Sequence, residues 1–143
     1  MRTLMKLGKR YSTLMCVLVF TWTMTFPSGA DDAVVKEKRT DVRTVAILVF
    51  NGMDIQDFAG PADVFFYVEN PEGKRAFKQF AVAKSMDPIT SQGFVKIVPN
   101  YTFDDCPKPD ILVIPGGFVN GVMNDEKTMA WIKDMGPQSE QVL

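Results

Sequence analysis

Two runs of consecutive apolar residues, each ended abruptly by turn-forming residues, constrain the fold of this 143-residue chain most strongly. Residues 44–50 read TVAILVF and are followed by Asn51-Gly52, and residues 111–114 read ILVI and are followed by Pro-Gly-Gly. A strand that is apolar on both faces must be covered on both faces, as a parallel strand is between two layers of helices. The two runs therefore predict a mostly parallel sheet inside an α/β fold.

Strand and helix patterns alternate between and beyond these runs, which supports the same fold class. We expect a helix that opens at Gly60-Pro61, since proline is tolerated in a first turn, with Val64, Phe65 and Val68 on its apolar face. The other predicted elements are a turn at 70–73, a strand at 77–83, a hairpin around Gly93, a helix from Asn124 or Asp125 to about Met135 with Met129 and Ile132 facing inward, and a last strand at 141–143.

Candidate site residues follow the first apolar run, at the end of a parallel strand where ligands bind in such folds. The segment NGMDIQDFAGP carries Asp54 and Asp57 and lacks the GxGxxG pattern of a dinucleotide site. Each carboxylate could be a solvated turn residue or a helix cap, and Asp57 could instead serve a catalytic site.

Gly116 and Gly117, directly after the second run, are the other candidates. Glycines allow close approach to the backbone, and free N–H groups at a strand end can stabilise an oxyanion. A tight turn produces the same sequence, so both interpretations stay open.

The absence of histidine and the small number of cysteines limit the kinds of catalytic and metal site that this chain can form. The chain has no histidine, which excludes a His-containing triad or His metal site built from this chain, and we expect no metal or other cofactor. Cys106 is the only cysteine after residue 30 and lies in the proline-rich loop DDCPKPD, where we expect a structural thiol. Asn100-Tyr101-Thr102 is a glycosylation sequon, which has meaning only in a eukaryotic secretory pathway.

The first 30 residues predict a secretory signal peptide. Four basic residues precede an uncharged stretch at 11–26, and Ser28-Gly29-Ala30 suggests cleavage after Ala30. An uncleaved anchor or a lipoprotein signal at Cys16 are weaker alternatives. We expect residues 31–42 to be a flexible linker and the protein to be periplasmic or secreted, with membrane contact only through an uncleaved signal segment.

The net charge argues against a nucleic-acid or anionic-membrane partner. Of the chain's 16 basic and 17 acidic residues, four basic ones lie in 1–30, so residues 31–143 carry a net charge of −5. A nucleic-acid surface would need a basic patch instead. We expect a small-molecule substrate of unknown identity, and homodimer formation by a complete chain stays open.

Three stretches resemble the ThiJ/PfpI family of the class I glutamine amidotransferase-like superfamily, and most closely its isonitrile-hydratase-like branch. They are VAILVFNGMDIQDFAGPADVF, ITSQGFVKIVPNYTFDDCPKPDILVIPGG and the spacing onward to MAWIKDM. The resemblance implies a flavodoxin-like three-layer sandwich over residues 43–143. It also implies that Asp57 is the acidic partner of a nucleophilic cysteine, and that Gly116 and Gly117 are backbone oxyanion donors.

The elbow cysteine of that family would follow a strand that here begins at Gln141-Val142-Leu143, where the sequence ends. We therefore expect an incomplete domain, truncated before the nucleophile elbow and inactive as given. Two functions remain open. One is the N-terminal part of an exported hydratase, amidase or deglycase, and the other is a non-catalytic ligand-binding or sensor domain of the same fold.

Overall fold

The computed structural model describes residues 40–143. The predicted signal peptide and all but the last three residues of the predicted linker lie outside them. The strands are β1 (Arg43–Leu48), β2 (Phe77–Ala83), β3 (Ile89–Thr90), β4 (Lys96–Ile97), β5 (Tyr101–Thr102), β6 (Ile111–Val113) and β7 (Gln141–Val142). The helices are α1 (Ile55–Tyr67), α2 (Asn120–Met123) and α3 (Glu126–Met135), and a 3-10 turn covers Gly136–Gln138.

Five strands of the described region form one parallel sheet in the order β5-β2-β1-β6-β7. The first apolar run occupies its centre, since Val45 pairs with Gln79 on one side and with Ile111 on the other. β3 and β4 form a separate antiparallel hairpin. The parallel sheet predicted from the two apolar runs is confirmed.

Alternate residues of β1 point to opposite faces of the sheet, and each face is covered by helix, as the pattern required. Val45 and Ile47 pack in a cluster with Phe58, Ala62 and Phe65 of α1. Ala46 and Leu48 pack on the other face in a cluster that contains Trp131 of α3. The result is the expected three-layer, flavodoxin-like α/β sandwich.

Helix α1 differs from its predicted course. It begins at Ile55 because the Asp54 carboxylate accepts a hydrogen bond from the Gln56 N–H (2.9 Å), and Pro61 lies inside the helix instead of opening it. Phe65 faces the sheet as predicted. Val64 is 64% and Val68 39% exposed, because the inward face follows the 58-62-65 spacing.

The side chain of Asp110 joins the amino-terminal ends of the two central strands, β1 and β6. The Asp110 carboxylate accepts hydrogen bonds from the Thr44 N–H (2.6 Å) and from the Thr44 hydroxyl (2.8 Å). The Asp110 N–H in turn donates to the Thr44 carbonyl at 3.1 Å. The aspartate of the PDILV segment therefore fixes the register of β1 and β6 and stands at the strand end opposite the Pro-Gly-Gly loop.

The second helical segment confirms the predicted cap. Asp125 accepts hydrogen bonds from the backbone N–H groups of Lys127 and Thr128 at the start of α3. Trp131 is the large buried residue of this helix and stacks on Phe103 with ring centroids 4.8 Å apart. Within residues 40–143, no helix has the length and apolarity needed to cross a membrane.

Candidate functional site

Asp57 and the Pro-Gly-Gly loop meet at the carboxyl edge of the sheet, where β1 and β6 are neighbours. The Gly116 N–H donates a hydrogen bond of 2.8 Å to Oδ2 of Asp57, across 59 residues of sequence. A Cβ atom at Gly116 would lie 2.9 Å from the same oxygen, so only glycine leaves room for this approach. The two segments that carried the sequence interpretation are thus joined by one short, charge-assisted hydrogen bond.

The start of α1 gives its two carboxylates different tasks. Asp54 caps the helix, which is the simpler of the two interpretations offered by the sequence. Asp57 lies in the first turn, where the helix dipole favours negative charge, and its side chain is exposed apart from the contact with Gly116. Pro61 follows four residues later and has no N–H to donate to the Asp57 carbonyl.

Gly116 and Gly117 differ in what their amides do. The Gly116 N–H is engaged by Asp57, whereas the Gly117 N–H has no acceptor among residues 40–143. Gly117 has a φ of +126°, and it pairs with Met53 in an isolated antiparallel bridge that turns its N–H away from the Met53 backbone. Within this loop, the Gly117 amide is the one available to a bound oxyanion.

Cys106 lies apart from this arrangement, in the loop between β5 and β6. Its thiol is 3.2 Å from the Pro107 carbonyl oxygen and packs against the buried cluster around Leu112. Burial, and to a smaller extent the neighbouring Asp105 carboxylate, together raise the pKa of the Cys106 thiol to about 11. A thiol that stays protonated is a poor nucleophile, in agreement with the structural role expected from the sequence.

A cleft of about 330 Å³ opens at the carboxyl ends of β1 and β2, beside the start of α3. Its floor is apolar and includes Leu48, Ala83 and Phe103, and its rim carries Lys84 and Asp125. These two rim side chains form an ion pair of 2.6 Å, and the hydrogen bond from Lys84 is the main cause of the lowered pKa of Asp125. The cleft was not predicted, because its lining comes from four separate segments.

Metal binding finds no support in the described part of the chain. No group of three or more cysteine, aspartate or glutamate side chains is placed there to hold an ion. Asp57 has a backbone N–H as its neighbour and no second carboxylate partner in the hydrogen bonds of this region. The arrangement suits proton transfer and anion stabilisation by the protein's own groups.

Comparison with known proteins agrees with this fold. The chain is 30% identical over 99 residues to isonitrile hydratase from Pseudomonas putida, which is 68% of this chain and 41% of the hydratase. A ThiJ/PfpI family protein from Pseudomonas syringae superimposes with a TM-score of 0.62 and 32% identity, over 71% of this chain and 41% of that one. DJ-1beta from Drosophila melanogaster shares the fold, with a TM-score of 0.55 and 16% identity over 68% of this chain and 51% of its own.

The chain therefore spans about two fifths of the length of the hydratase and of the Pseudomonas syringae protein. The sequence model of the DJ-1/PfpI family matches residues 43–143, which is the whole of the sheet described above together with its helices and both site loops. Because this match covers 101 of the 143 residues, the chain belongs to the DJ-1/PfpI family.

Proposed function

We propose that this chain supplies the acid–base and oxyanion-binding half of an active site in a cysteine-dependent hydratase, amidase or deglycase of the DJ-1/PfpI type. The observation that carries the proposal is the 2.8 Å hydrogen bond from the Gly116 N–H to Asp57. It holds a carboxylate in fixed position beside an unoccupied backbone N–H at the ligand-binding edge of the sheet.

The chemistry assigns one task to each group. A cysteine sulfur adds to an electrophilic carbon of the substrate, and its S–H proton passes to the Asp57 carboxylate. Asp57 returns this proton to the substrate-derived group, and water then hydrolyses the carbon–sulfur bond, which releases the product and restores the thiol. Negative charge that develops on the substrate is held by the Gly117 N–H, while the Gly116 N–H orients Asp57. The nucleophile in this scheme is a cysteine that follows β7, as the family resemblance implies, and is not Cys106.

A fusion protein tests this scheme. Residues 31–143 are joined to the part of the Pseudomonas putida isonitrile hydratase that follows the matched region, and turnover of isonitriles, amides and esters is measured. Asp57→Asn should lower kcat by about 10²-fold or more, the usual scale for a general acid–base group. Asp54→Asn is the matched control, because asparagine caps a helix as well as aspartate does.

Equal turnover in the two variants would return Asp57 to a purely structural role. We also expect the 143-residue chain alone to be inactive. Turnover by that chain which is abolished by Cys106→Ser would show that the loop thiol is the nucleophile and would overturn the assignment.

The alternative function is a non-catalytic ligand-binding or sensor domain. The cleft beside Lys84 and Asp125 supports it, since about 330 Å³ lies within the size range of small-molecule sites. This alternative predicts that the fusion protein is stabilised by small molecules without turning them over. A thermal-shift screen that uses the same isonitriles, amides and esters separates the two outcomes.

We propose export as well, with cleavage after Ala30, from the basic start and uncharged stretch of the sequence. N-terminal sequencing of protein recovered outside the cytoplasm should begin at Asp31, and an intact Met1 on cytosolic protein would contradict it.

Homodimer formation through the exposed apolar side chains of α1, among them Val64 and Tyr67, is the assembly we propose for a complete chain. Sedimentation of the fusion protein tests it.

A further inference from the structure

Residues 52–54 form the middle of three short backbone segments that lie side by side across the carboxyl edge of the sheet. On one side is the β3–β4 hairpin. The Gly52 N–H donates to the Thr90 carbonyl (2.8 Å), and the Gln92 N–H donates to the Met53 carbonyl (2.9 Å). The hairpin therefore holds the 52–54 segment from one edge.

The Pro-Gly-Gly loop holds the opposite edge of the 52–54 segment. The Phe118 N–H donates to the Gly52 carbonyl at 2.9 Å, and the Asp54 N–H donates to the Gly116 carbonyl, also at 2.9 Å. Gly52 thus uses its donor on the hairpin and its acceptor on the Pro-Gly-Gly loop. The position of the Gly117 amide follows from these bonds, because Gly117 lies between the two residues that make them.

Gly52 is in close contact with Phe118, whose side chain is 71% exposed. A Cβ atom at Gly52 would lie 3.0 Å from Cδ2 and 3.1 Å from Cβ of Phe118, so Phe118 would have to shift by a few tenths of an ångström to restore ordinary contact. Gly52 also has a φ of +82°, which other residues adopt only with strain. A side chain here would push Phe118, and with it the adjoining Gly117, away from the 52–54 segment.

We propose that Gly52 is a positioning residue for the site: its bare backbone lets Phe118 pack against the 52–54 segment, and this fixes both the Gly117 amide and the Gly116–Asp57 hydrogen bond. The catalytic meaning of this role rests on the function proposed above. The positioning itself is a property of the 143-residue chain and can be measured without turnover.

Amide hydrogen exchange of Gly116, measured by NMR on the full chain, tests the proposal. Gly52→Ala should speed this exchange by about tenfold or more through local opening of the loop, beyond any change in the global free energy of unfolding measured with urea. Gly73→Ala is the matched control. Gly73 has a φ of +73°, and a Cβ atom added there would meet nothing within 4 Å, so this variant reproduces the backbone strain without the contact.

A rescue variant separates positioning from misfolding. Phe118→Gly removes the atoms that a Cβ at residue 52 would meet, so Gly52→Ala should raise the Gly116 exchange rate much less in the Phe118→Gly background than in the otherwise unchanged chain, with only the effect of the backbone strain at residue 52 remaining. Three results would overturn the inference: equal Gly116 exchange in Gly52→Ala and Gly73→Ala, no rescue in the double variant, or a double variant that does not fold. An inactive fusion protein with the expected exchange pattern would instead count against the proposed function alone.

Discussion

Gly117→Ala offers the most demanding test of the way the two site loops approach each other. A Cβ atom at residue 117 would lie 2.7 Å from the Asp54 nitrogen and 2.7 Å from the Met53 Cα, and closer still to the Gly52 carbonyl oxygen. All three are backbone atoms that are held in place by hydrogen bonds or by burial. The added methyl group therefore cannot be accommodated by a side-chain rotation, and one loop must move.

The expected loss of stability has two parts. A residue other than glycine at φ +126° adds strain of roughly 1–3 kcal/mol. Forcing a methyl group into packed backbone adds about 1–3 kcal/mol more. Gly117→Ala should therefore lower the free energy of unfolding by about 2–6 kcal/mol, whereas Gly73→Ala, with strain but no contact, should lower it by about 1–2 kcal/mol.

Urea unfolding of the two variants measures the difference. With a denaturant dependence of about 1.5 kcal/mol per molar urea, a loss of about 4 kcal/mol lowers the midpoint by about 2.7 M. The Gly73→Ala midpoint should fall by about 0.7–1.3 M on the same scale. Equal midpoints for the two variants would refute the reasoning, since the contacts of residue 117 would then add nothing to the strain.

Further predictions concern Asp110, Cys106 and Trp131. Asp110→Ala should lower the free energy of unfolding by about 2–4 kcal/mol, because two hydrogen bonds to a charged acceptor are lost. The control Asp104→Ala, which removes the exposed ion pair between Asp104 and Lys127, should lower it by less than about 1 kcal/mol. Since the pKa of Cys106 is about 11, its alkylation by iodoacetamide at pH 8 should be about 100-fold slower than that of a thiol of pKa 9, and should accelerate up to pH 11; a rate that levels off near pH 9 would contradict this. Trp131→Ala should cost about 3–5 kcal/mol, measured by urea unfolding, and a loss below about 1 kcal/mol would show that its stack on Phe103 matters little.

The central sheet was predictable because its signal is local. Residues 45–50 and 111–114 are apolar at every position, as in a strand that is covered on both faces. The start of α1 was mispredicted because Pro61 is compatible with a first turn, while Asp54, seven residues earlier, provides a side-chain cap. The two-residue strand β5 was missed because so short a strand forms through its pairing with β2.

The candidate site, like the fold, could be predicted only in part from the sequence. Asp57 and the Pro-Gly-Gly loop could be placed at one edge of the sheet from the polarity of parallel strands, and the structure joins them by a hydrogen bond. Gly52 could be recognised from the sequence only as a turn residue after β1. Its contacts with Phe118 and Thr90 depend on segments 38 to 66 residues away, which no local pattern encodes.

The central place of β1 in the sheet also affects how the chain folds during synthesis. β1 is the first described strand to be made. One of its two neighbours, β6, is bonded to it through Asp110, which lies 66 residues after its partner Thr44 in the chain. At roughly 5–20 residues per second, a ribosome needs about 3–13 s to produce that partner. During this interval β1 has at least one edge unpaired, and both edges until β2 is made, so slowing translation between residues 50 and 110 should increase aggregation more than slowing it after residue 114.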